Sequence, residues 1–225
     1  MIGNTCYKPP KGKLRILFED RDFIAVDKPH GLLTVPGRLP EHKDSLLTRL
    51  QGKFQDILVV HRLDMDTSGI VLFAKNKSSQ SYASAQFSDR RVKKIYFARV
   101  FGKITKVSGI INFPLTSDWA NRPLQKVCRI HGKVCETRWR LLRVWENSAG
   151  QSFSELVVQP ITGRTHQIRL HLKEMGYPIL GDRFYGNADC HDKNDRLNLY
   201  AVSLSFYHKS FGRRLRISTD FNLAC

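Results

Sequence analysis

A nine-residue polar segment, 61–69, contains the side chains of this chain that are best suited to catalysis. It reads His-Arg-Leu-Asp-Met-Asp-Thr-Ser-Gly. Arg62 and Asp64 are two residues apart, so both side chains point to the same side of an extended backbone. A guanidinium next to a carboxylate keeps that carboxylate ionised near neutral pH. An ionised carboxylate in a fixed position can act as a nucleophile or as a general base.

The segments on either side of these residues predict how they are held. Residues 57–60 and 70–74 are short apolar runs with the length and β-branched content of buried strands. The polar segment is therefore predicted to be a loop fixed at both ends, where catalytic side chains are often found. A solvated surface turn is the alternative, because residues 66–69 are of types common in turns.

The rest of the chain predicts an α+β domain with a mixed, mainly antiparallel central sheet flanked by helices. Few helices interrupt the predicted strands, and no repeat or flexible linker divides the sequence, so one catalytic domain is expected over residues 1–225. The predicted helices are 78–88 and 165–175. The predicted strands are 16–18, 23–26, 57–60, 70–74, 95–101, 137–144, 153–158 and 199–207.

The charge of the chain indicates a polyanionic partner. Lysine and arginine number 37 against 20 acidic residues, which gives a formal net charge of +17. The basic clusters, at 8–15, 90–94, 138–143 and 213–216, alternate with hydrophobic residues and so belong to folded elements. This pattern favours RNA or DNA over a charge that serves only solubility. The sequence shows no strongly basic amphipathic helical pattern, so it does not indicate a membrane-surface protein.

Several other classes of protein are not expected. No secretory signal and no apolar run of membrane-spanning length are found, so a soluble, cytoplasmic protein is expected. The five cysteines include no Cys-x-x-Cys pair, which favours free or buried thiols over disulfides or a zinc site. His166 and His171 are five residues apart and do not share a helix face, so no metal site is expected. The cysteines are Cys6, Cys128, Cys135, Cys190 and Cys225.

The polar segment, followed by Ala74-Lys75, resembles the signature of the RluA family of pseudouridine synthases. The resemblance extends over about residues 18–207 and implies the pseudouridine synthase fold. It also implies an isomerase that converts uridine in RNA to pseudouridine without a cofactor. In the family, the residue at the position of Asp64 is the catalytic aspartate. The arginine at the position of Arg62 fills the space that is left when the target uridine flips out of the RNA.

Two further segments are similar to the family and imply partners for Asp64. Residues 93–100 read Lys-Lys-Ile-Tyr-Phe-Ala-Arg-Val, and the family role of a tyrosine against the target base falls on Tyr96. A core aromatic residue is the alternative for Tyr96. In residues 160–172, Arg164 corresponds to the arginine that pairs with the catalytic aspartate, and the predicted helix places it at a helix N-terminus. A separate N-terminal RNA-binding domain, present in some relatives, is not expected here.

A finer similarity concerns the RNA substrate. Residues 35–38 and 118–128 resemble those members of the family that modify one uridine in large-subunit rRNA and one in the tRNA anticodon loop. The implied partners are 23S rRNA and tRNA stem-loops, with Arg38, Arg122 and Lys126 as phosphate contacts that position the RNA. A monomer is expected.

Three alternatives remain open from the sequence. The charge alone is compatible with a noncatalytic RNA-binding or chaperone protein, in which replacing Asp64 would leave the function unchanged. The enzyme could also act on only one of the two RNAs. A glycosylase would release free uracil, and a metal-dependent nuclease would need a carboxylate cluster that the sequence does not indicate.

Overall fold

The computed structural model describes residues 7–187, 190 and 196–220. Its helices are α1 (Leu46–Gln51), α2 (Lys77–Ser88) and α3 (Gln167–Glu174). Its strands are β1 (Arg15–Glu19), β2 (Phe23–Lys28), β3 (Leu58–Val59), β4 (Ser68–Ala74), β5 (Lys93–Phe101), β6 (Ser108–Ile111), β7 (Leu115–Ser117), β8 (Gln125–Val127), β9 (Thr137–Glu146), β10 (Ser152–Pro160), β11 (Leu199–Tyr207) and β12 (Arg214–Ser218).

All eight predicted strands are present, and both predicted helices are confirmed with shifted starts. The first begins at Lys77 behind Asn76, whose side chain accepts the backbone N–H of Ser79 as an N-cap. The second begins two residues later than predicted, at Gln167. Four short strands and one short helix were not predicted: β6, β7, β8, β12 and α1. The missed strands have three to five residues, too few for an alternating pattern to be distinctive.

The described residues form two compact units, of which the first comprises residues 7–92 and 204–220. Strands β1, β2 and β4 follow one another in its sheet, β3 pairs with β4, and β12 pairs with β11, whose residues 204–207 belong to this unit. Every residue of β4 is buried, as the apolar run at 70–74 predicts. Phe23, Leu72 and Phe206 belong to the core that this sheet covers.

The second unit comprises the described residues between 93 and 203 and contains a sheet in which β5, β10, β9 and β6 are neighbours. The pairing of β10 with β5 is antiparallel and runs from Phe153 opposite Phe101 to Val158 opposite Tyr96. Strands β7 and β8 form a separate antiparallel hairpin. Few helices and mainly antiparallel strands confirm the predicted α+β class.

A buried ion pair fixes helix α3 in the second unit. The guanidinium of Arg169 donates two hydrogen bonds to the carboxylate of Asp182, at 2.8 and 2.6 Å, and both side chains are at most 1% exposed. Asp182 also accepts the backbone N–H groups of Phe184 and Tyr185. The charge of each partner is therefore compensated within the protein, which a buried ion requires.

Other general predictions can be compared with the described residues. Cys128, Cys135 and Cys190 are free thiols, as expected, whereas Cys6 and Cys225 lie outside the residues that the structure describes. None of the described helices is long and apolar enough to cross a membrane.

Replacing Asp182 with Asn tests the buried pair. The substitution leaves Arg169 charged and buried without a compensating carboxylate, so the free energy of unfolding should fall by about 3–5 kcal/mol. Glu174→Gln is the matched control, because its ion pair with Lys173 is at the surface of the same helix. Its cost should stay below about 1 kcal/mol. Urea unfolding of the purified proteins would measure both, and equal costs would contradict the assignment.

Candidate functional site

The loop that carries Asp64 connects two paired strands. Strands β3 and β4 are antiparallel, with Leu58 opposite Ala74 and Val59 opposite Phe73. The segment is therefore held at both ends, as predicted, although its last two residues already belong to β4. Between the strands, the backbone N–H of Thr67 donates to the carbonyl of Asp64 at 3.2 Å and closes a turn. The partly exposed Asp64 begins this turn.

Side chains from the segment after β2 bind the backbone on both sides of Asp64. The hydroxyl of Thr34 donates to the carbonyl of Leu63 at 2.8 Å and accepts its N–H at 3.2 Å. On the other side, Nδ1 of His30 lies 2.7 Å from the carbonyl oxygen of Asp66. These contacts fix the main chain before and after Asp64, which limits the positions that its carboxylate can take.

A buried lysine adds a third contact to the same loop. Lys28 is fully buried, and its ammonium donates to the carbonyls of Pro29, Leu32 and Met65 at 3.0, 2.8 and 2.8 Å. Three carbonyl oxygens replace much of the water that a buried ammonium loses. Because Met65 directly follows Asp64, the lysine connects the candidate catalytic loop to the end of β2.

The two residues that precede Leu63 have different environments. His61 is engaged in packing, because its Nε2 accepts the backbone N–H of Leu72 at 3.0 Å and its ring stacks on Phe87 with centroids 4.6 Å apart. Arg62 is exposed and forms no ion pair within the described part of the chain. The pairing of Arg62 with Asp64 that the spacing suggested is therefore not formed in this structure, and the guanidinium is accessible to a ligand.

In the second unit, Tyr96 lies on β5 and is 9% exposed. Lys94, two residues earlier on the same strand, shares its face of the sheet. The Lys94 ammonium lies 3.5 Å from the carbonyl oxygen of Thr162, and burial lowers its pKa to about 8. A positive charge is thus held against the segment that leads to Arg164.

The backbone at Arg164 is fixed by one glutamine. Oε1 of Gln167 accepts the N–H of Arg164 at 3.0 Å and the hydroxyl of Thr162 at 2.7 Å, while its Nε2 donates to the carbonyl of Glu136 at 3.0 Å. Helix α3 begins only at Gln167, after His166 with a left-handed backbone (φ 53°). The predicted placement of Arg164 at the start of this helix is therefore corrected. Arg164 lies three residues before Gln167, in the preceding turn. The Arg164 side chain is exposed.

The importance of Gln167 was not predicted. An amide can accept and donate at once, and the first turn of a helix offers backbone groups without helical partners. A glutamine after a Gly-Arg turn is therefore a signal that could have been used.

Of the other predicted site residues, the exposed Arg38 lies in the first unit between β2 and α1. Arg122 and Lys126 are exposed on the β7–β8 hairpin of the second unit.

The two histidines considered as metal ligands have protein partners. Nδ1 of His166 lies 2.9 Å from the hydroxyl of Tyr185. Both ring nitrogens of His171 are engaged, with Thr137 Oγ1 and the Phe113 carbonyl each at 2.9 Å, and burial lowers its pKa. Neither ring is arranged as one of a pair of metal ligands.

A different cluster, Asp20, Asp22 and His208, brings three possible ligand atoms within 4.8 Å of one another in the first unit. The carboxylate of Asp22, however, accepts hydrogen bonds from the hydroxyls of Ser79 and Ser210. Nε2 of His208 lies 2.8 Å from a carboxylate oxygen of Asp20. These contacts connect the start of β2 to the segment after β11, and we assign them a structural role.

Comparison with known proteins identifies the family. The sequence pattern of the family described as RNA pseudouridylate synthase matches residues 22–174, more than half of the chain. The chain belongs to the RNA pseudouridylate synthase family. The match includes Asp64, Tyr96 and Arg164, and the family is one of enzymes that act on RNA. The predicted isomerase activity and the predicted RNA partner are confirmed at this level.

Individual relatives agree with this assignment. The chain is 46% identical over 218 residues to the dual-specificity RNA pseudouridine synthase RluA of Vibrio vulnificus, covering 96% of this chain and 87% of the relative. It is 42% identical to the protein of the same name from Escherichia coli K12, covering 95% and 96%. The structure titled human RNA pseudouridylate synthase domain containing 1 superposes with a TM-score of 0.79 at 28% identity, covering 95% of this chain and 86% of that one. The pseudouridine synthase fold is thereby confirmed.

Replacing Thr34 tests whether the Asp64 loop needs its hydroxyl. Thr34→Val keeps the shape but leaves the N–H and carbonyl of Leu63 without their partner, which should cost about 1–3 kcal/mol of stability. Pseudouridine formation should fall as well, because the backbone next to Asp64 is less fixed. Thr34→Ser restores the hydroxyl and should recover both properties. Thermal unfolding and a rate assay on the same samples would measure this, and a fully active Val variant would refute the positioning role.

The burial of Lys94 predicts a pH-dependent effect on stability. With a folded-state pKa of about 8 against 10.5 for the free side chain, the unfolded chain binds more protons between these values. The contribution of Lys94 to stability therefore rises with pH over that range. Lys94→Met should be more stable than wild type at pH 7, by at most roughly 3 kcal/mol. The advantage should shrink towards pH 10.

Chemical unfolding at pH 7 and pH 10 would measure the two differences. Lys93→Met, an exposed neighbour on the opposite face of β5, is the control for the change in net charge. A difference between Lys94→Met and wild type that is the same at both pH values would contradict the proposed burial of the charge.

Proposed function

We propose that this pseudouridine synthase modifies uridines in two RNAs, a 23S rRNA stem-loop and the tRNA anticodon loop. The observation that carries the catalytic assignment is the fixed turn at Asp64, whose flanking carbonyls are bound by Thr34, Lys28 and His30. The names of the relatives at 46% and 42% identity support two substrates, since both are called dual-specificity enzymes.

Asp64 is the proposed catalytic residue. Pseudouridine formation breaks the bond from N1 of uracil to C1′, turns the base and rejoins it through C5, with no net hydrolysis and no electron transfer. A carboxylate is needed either to attack C1′ or to remove the C2′ proton. Asp64 suits both routes, because its backbone is fixed while its side chain is partly exposed. The protein needs no cofactor or metal for either route.

Tyr96 and Arg164 are the proposed partners of this aspartate. After the base rejoins, C5 must lose a proton, and Tyr96 removes or relays it while its ring holds the detached uracil. Arg164 is the proposed partner of the Asp64 carboxylate, as the resemblance to the family implies. The support for these roles is the family match, the fixing of Arg164 by Gln167, and the placement of Tyr96 on a paired strand.

Exposed basic residues bind the RNA in this proposal. A stacked uridine hides C1′, so it must leave the helix at a cost of about a few kcal/mol. The exposed Arg62 fills the vacated space, and Arg38, Arg122 and Lys126 contact phosphates. The protein acts as a monomer in the cytoplasm, away from membranes, with residues 1–225 forming a catalytic domain.

Tritium release from C5-labelled uridine tests this function. Purified wild type should release tritium from both a tRNA transcript and a 23S rRNA stem-loop transcript, and Asp64→Asn should lower the rate below detection in both. The substitution removes the charge while keeping the size of the side chain. Asp66→Asn is the matched control, because Asp66 belongs to the same loop but has no proposed chemical role, and it should retain most of the activity.

Each result has a distinct meaning. Release from one transcript alone would reduce the proposal to a single substrate. Loss of activity in Asp66→Asn and not in Asp64→Asn would overturn the catalytic assignment. Free uracil among the products would indicate a glycosylase. RNA binding without release by wild type would favour a noncatalytic RNA-binding protein.

A further inference from the structure

The tip of the β7–β8 hairpin presents an aromatic ring to solvent. Trp119 is 72% exposed, whereas Trp139 is 6% exposed and Trp145 stacks on Phe153. The guanidinium carbon of Arg122 lies only 3.5 Å from the centroid of the Trp119 ring and covers one of its faces. An indole with one face covered and 72% of its area exposed must offer its second face to solvent.

The hairpin holds this ring in a defined place. Ser117 pairs with Gln125, and the N–H of Asp118 donates to the carbonyl of Leu124 at 2.9 Å across the loop. The backbone N–H of Gln125 donates to the hydroxyl of Tyr185 at 2.8 Å. Tyr185 in turn belongs to the buried network around the ion pair of α3. The exposed aromatic is therefore presented by a supported element.

The surroundings of the ring carry positive charge. Lys126 and Arg129 are exposed on the same hairpin and the turn after it, in addition to Arg122 itself. Of these, Lys126 lies 3.4 Å from the carboxylate of Asp118. Unpaired bases bind proteins by stacking on aromatic or guanidinium planes next to a basic surface that follows the phosphates. A cation behind the indole also holds the ring in place before any ligand arrives.

We propose that Trp119, with Arg122 behind it, is a stacking platform for one unpaired nucleobase of the RNA substrate. The proposal deepens the function given above and rests on it for the identity of the RNA. Arg122 then acts mainly by supporting the ring, in addition to its positive charge. The exposed indole is retained at the surface because the base covers it in the complex.

Binding of a stem-loop RNA to Trp119→Leu tests the platform. Leucine keeps an apolar side chain but cannot stack, so Kd should rise roughly tenfold, and Trp119→Phe should restore most of the affinity. Ile130→Ala is the matched control, since Ile130 is apolar and 84% exposed nearby in sequence. It should bind RNA as wild type does.

Salt and RNA variants separate stacking from charge. Trp119→Leu should leave the slope of log affinity against log salt unchanged, whereas Lys126→Gln should reduce it by about 0.7. Abasic substitution at each loop position in turn should identify one position at which wild type and Trp119→Leu bind equally well, because the stacked base is then missing. Binding should also quench tryptophan fluorescence in wild type and less in Trp119→Phe.

The outcomes distinguish this inference from the proposed function. Suppose that wild type forms pseudouridine in the stem-loop, and that Trp119→Leu binds both the intact RNA and every abasic RNA as tightly as wild type does. The platform is then wrong and the function stands. If wild type forms no pseudouridine in that RNA, the proposed substrate is wrong. The affinity comparison would still test stacking. A Kd that rises equally in Ile130→Ala and Trp119→Leu would also overturn the platform.

Discussion

The placement of Asp64 depends on the need of buried backbone carbonyls for hydrogen-bond donors. A loop between the partly buried β3 and the buried β4 has polar main-chain groups that water cannot fully reach, and each one left unpaired is costly. Lys28 and Thr34 supply donors to the carbonyls of Met65 and Leu63. The same contacts that satisfy these groups hold the carboxylate between them, so stability and the geometry of the candidate site have one origin.

The second unit applies a similar principle through a different chemical group. There the buried guanidinium of Arg169 is compensated by Asp182, whose remaining lone pairs bind the main chain of the following turn. Tyr185 in that turn contacts both His166 and the hairpin at Gln125. One buried ion pair thereby connects the helix behind Arg164 to the hairpin that carries Trp119.

Much of this architecture could be predicted from the sequence. Eight of the described strands follow from apolar runs in the sequence, although the run at 57–60 forms only the two-residue strand β3. The motif around Asp64 identifies the family because its residues are contiguous. Strands β7 and β8 could not be predicted, since three-residue strands depend on pairing that local sequence does not encode. Lys28 and Gln167 were missed for a related reason: their roles consist of contacts with distant carbonyls, and neither residue type alone indicates a buried position. The start of α3 was misplaced because a left-handed His166 is an uncommon way to begin a helix.

The contact of His61 has a consequence for proton transfer. Because its Nε2 lone pair accepts the N–H of Leu72, a neutral ring carries its hydrogen on Nδ1. A proton added at Nε2 would turn this acceptor into a donor facing another donor. The imidazole nearest to Asp64 in sequence is thus held in one tautomer and withdrawn from acid–base chemistry, which leaves proton transfer in this segment to its carboxylates.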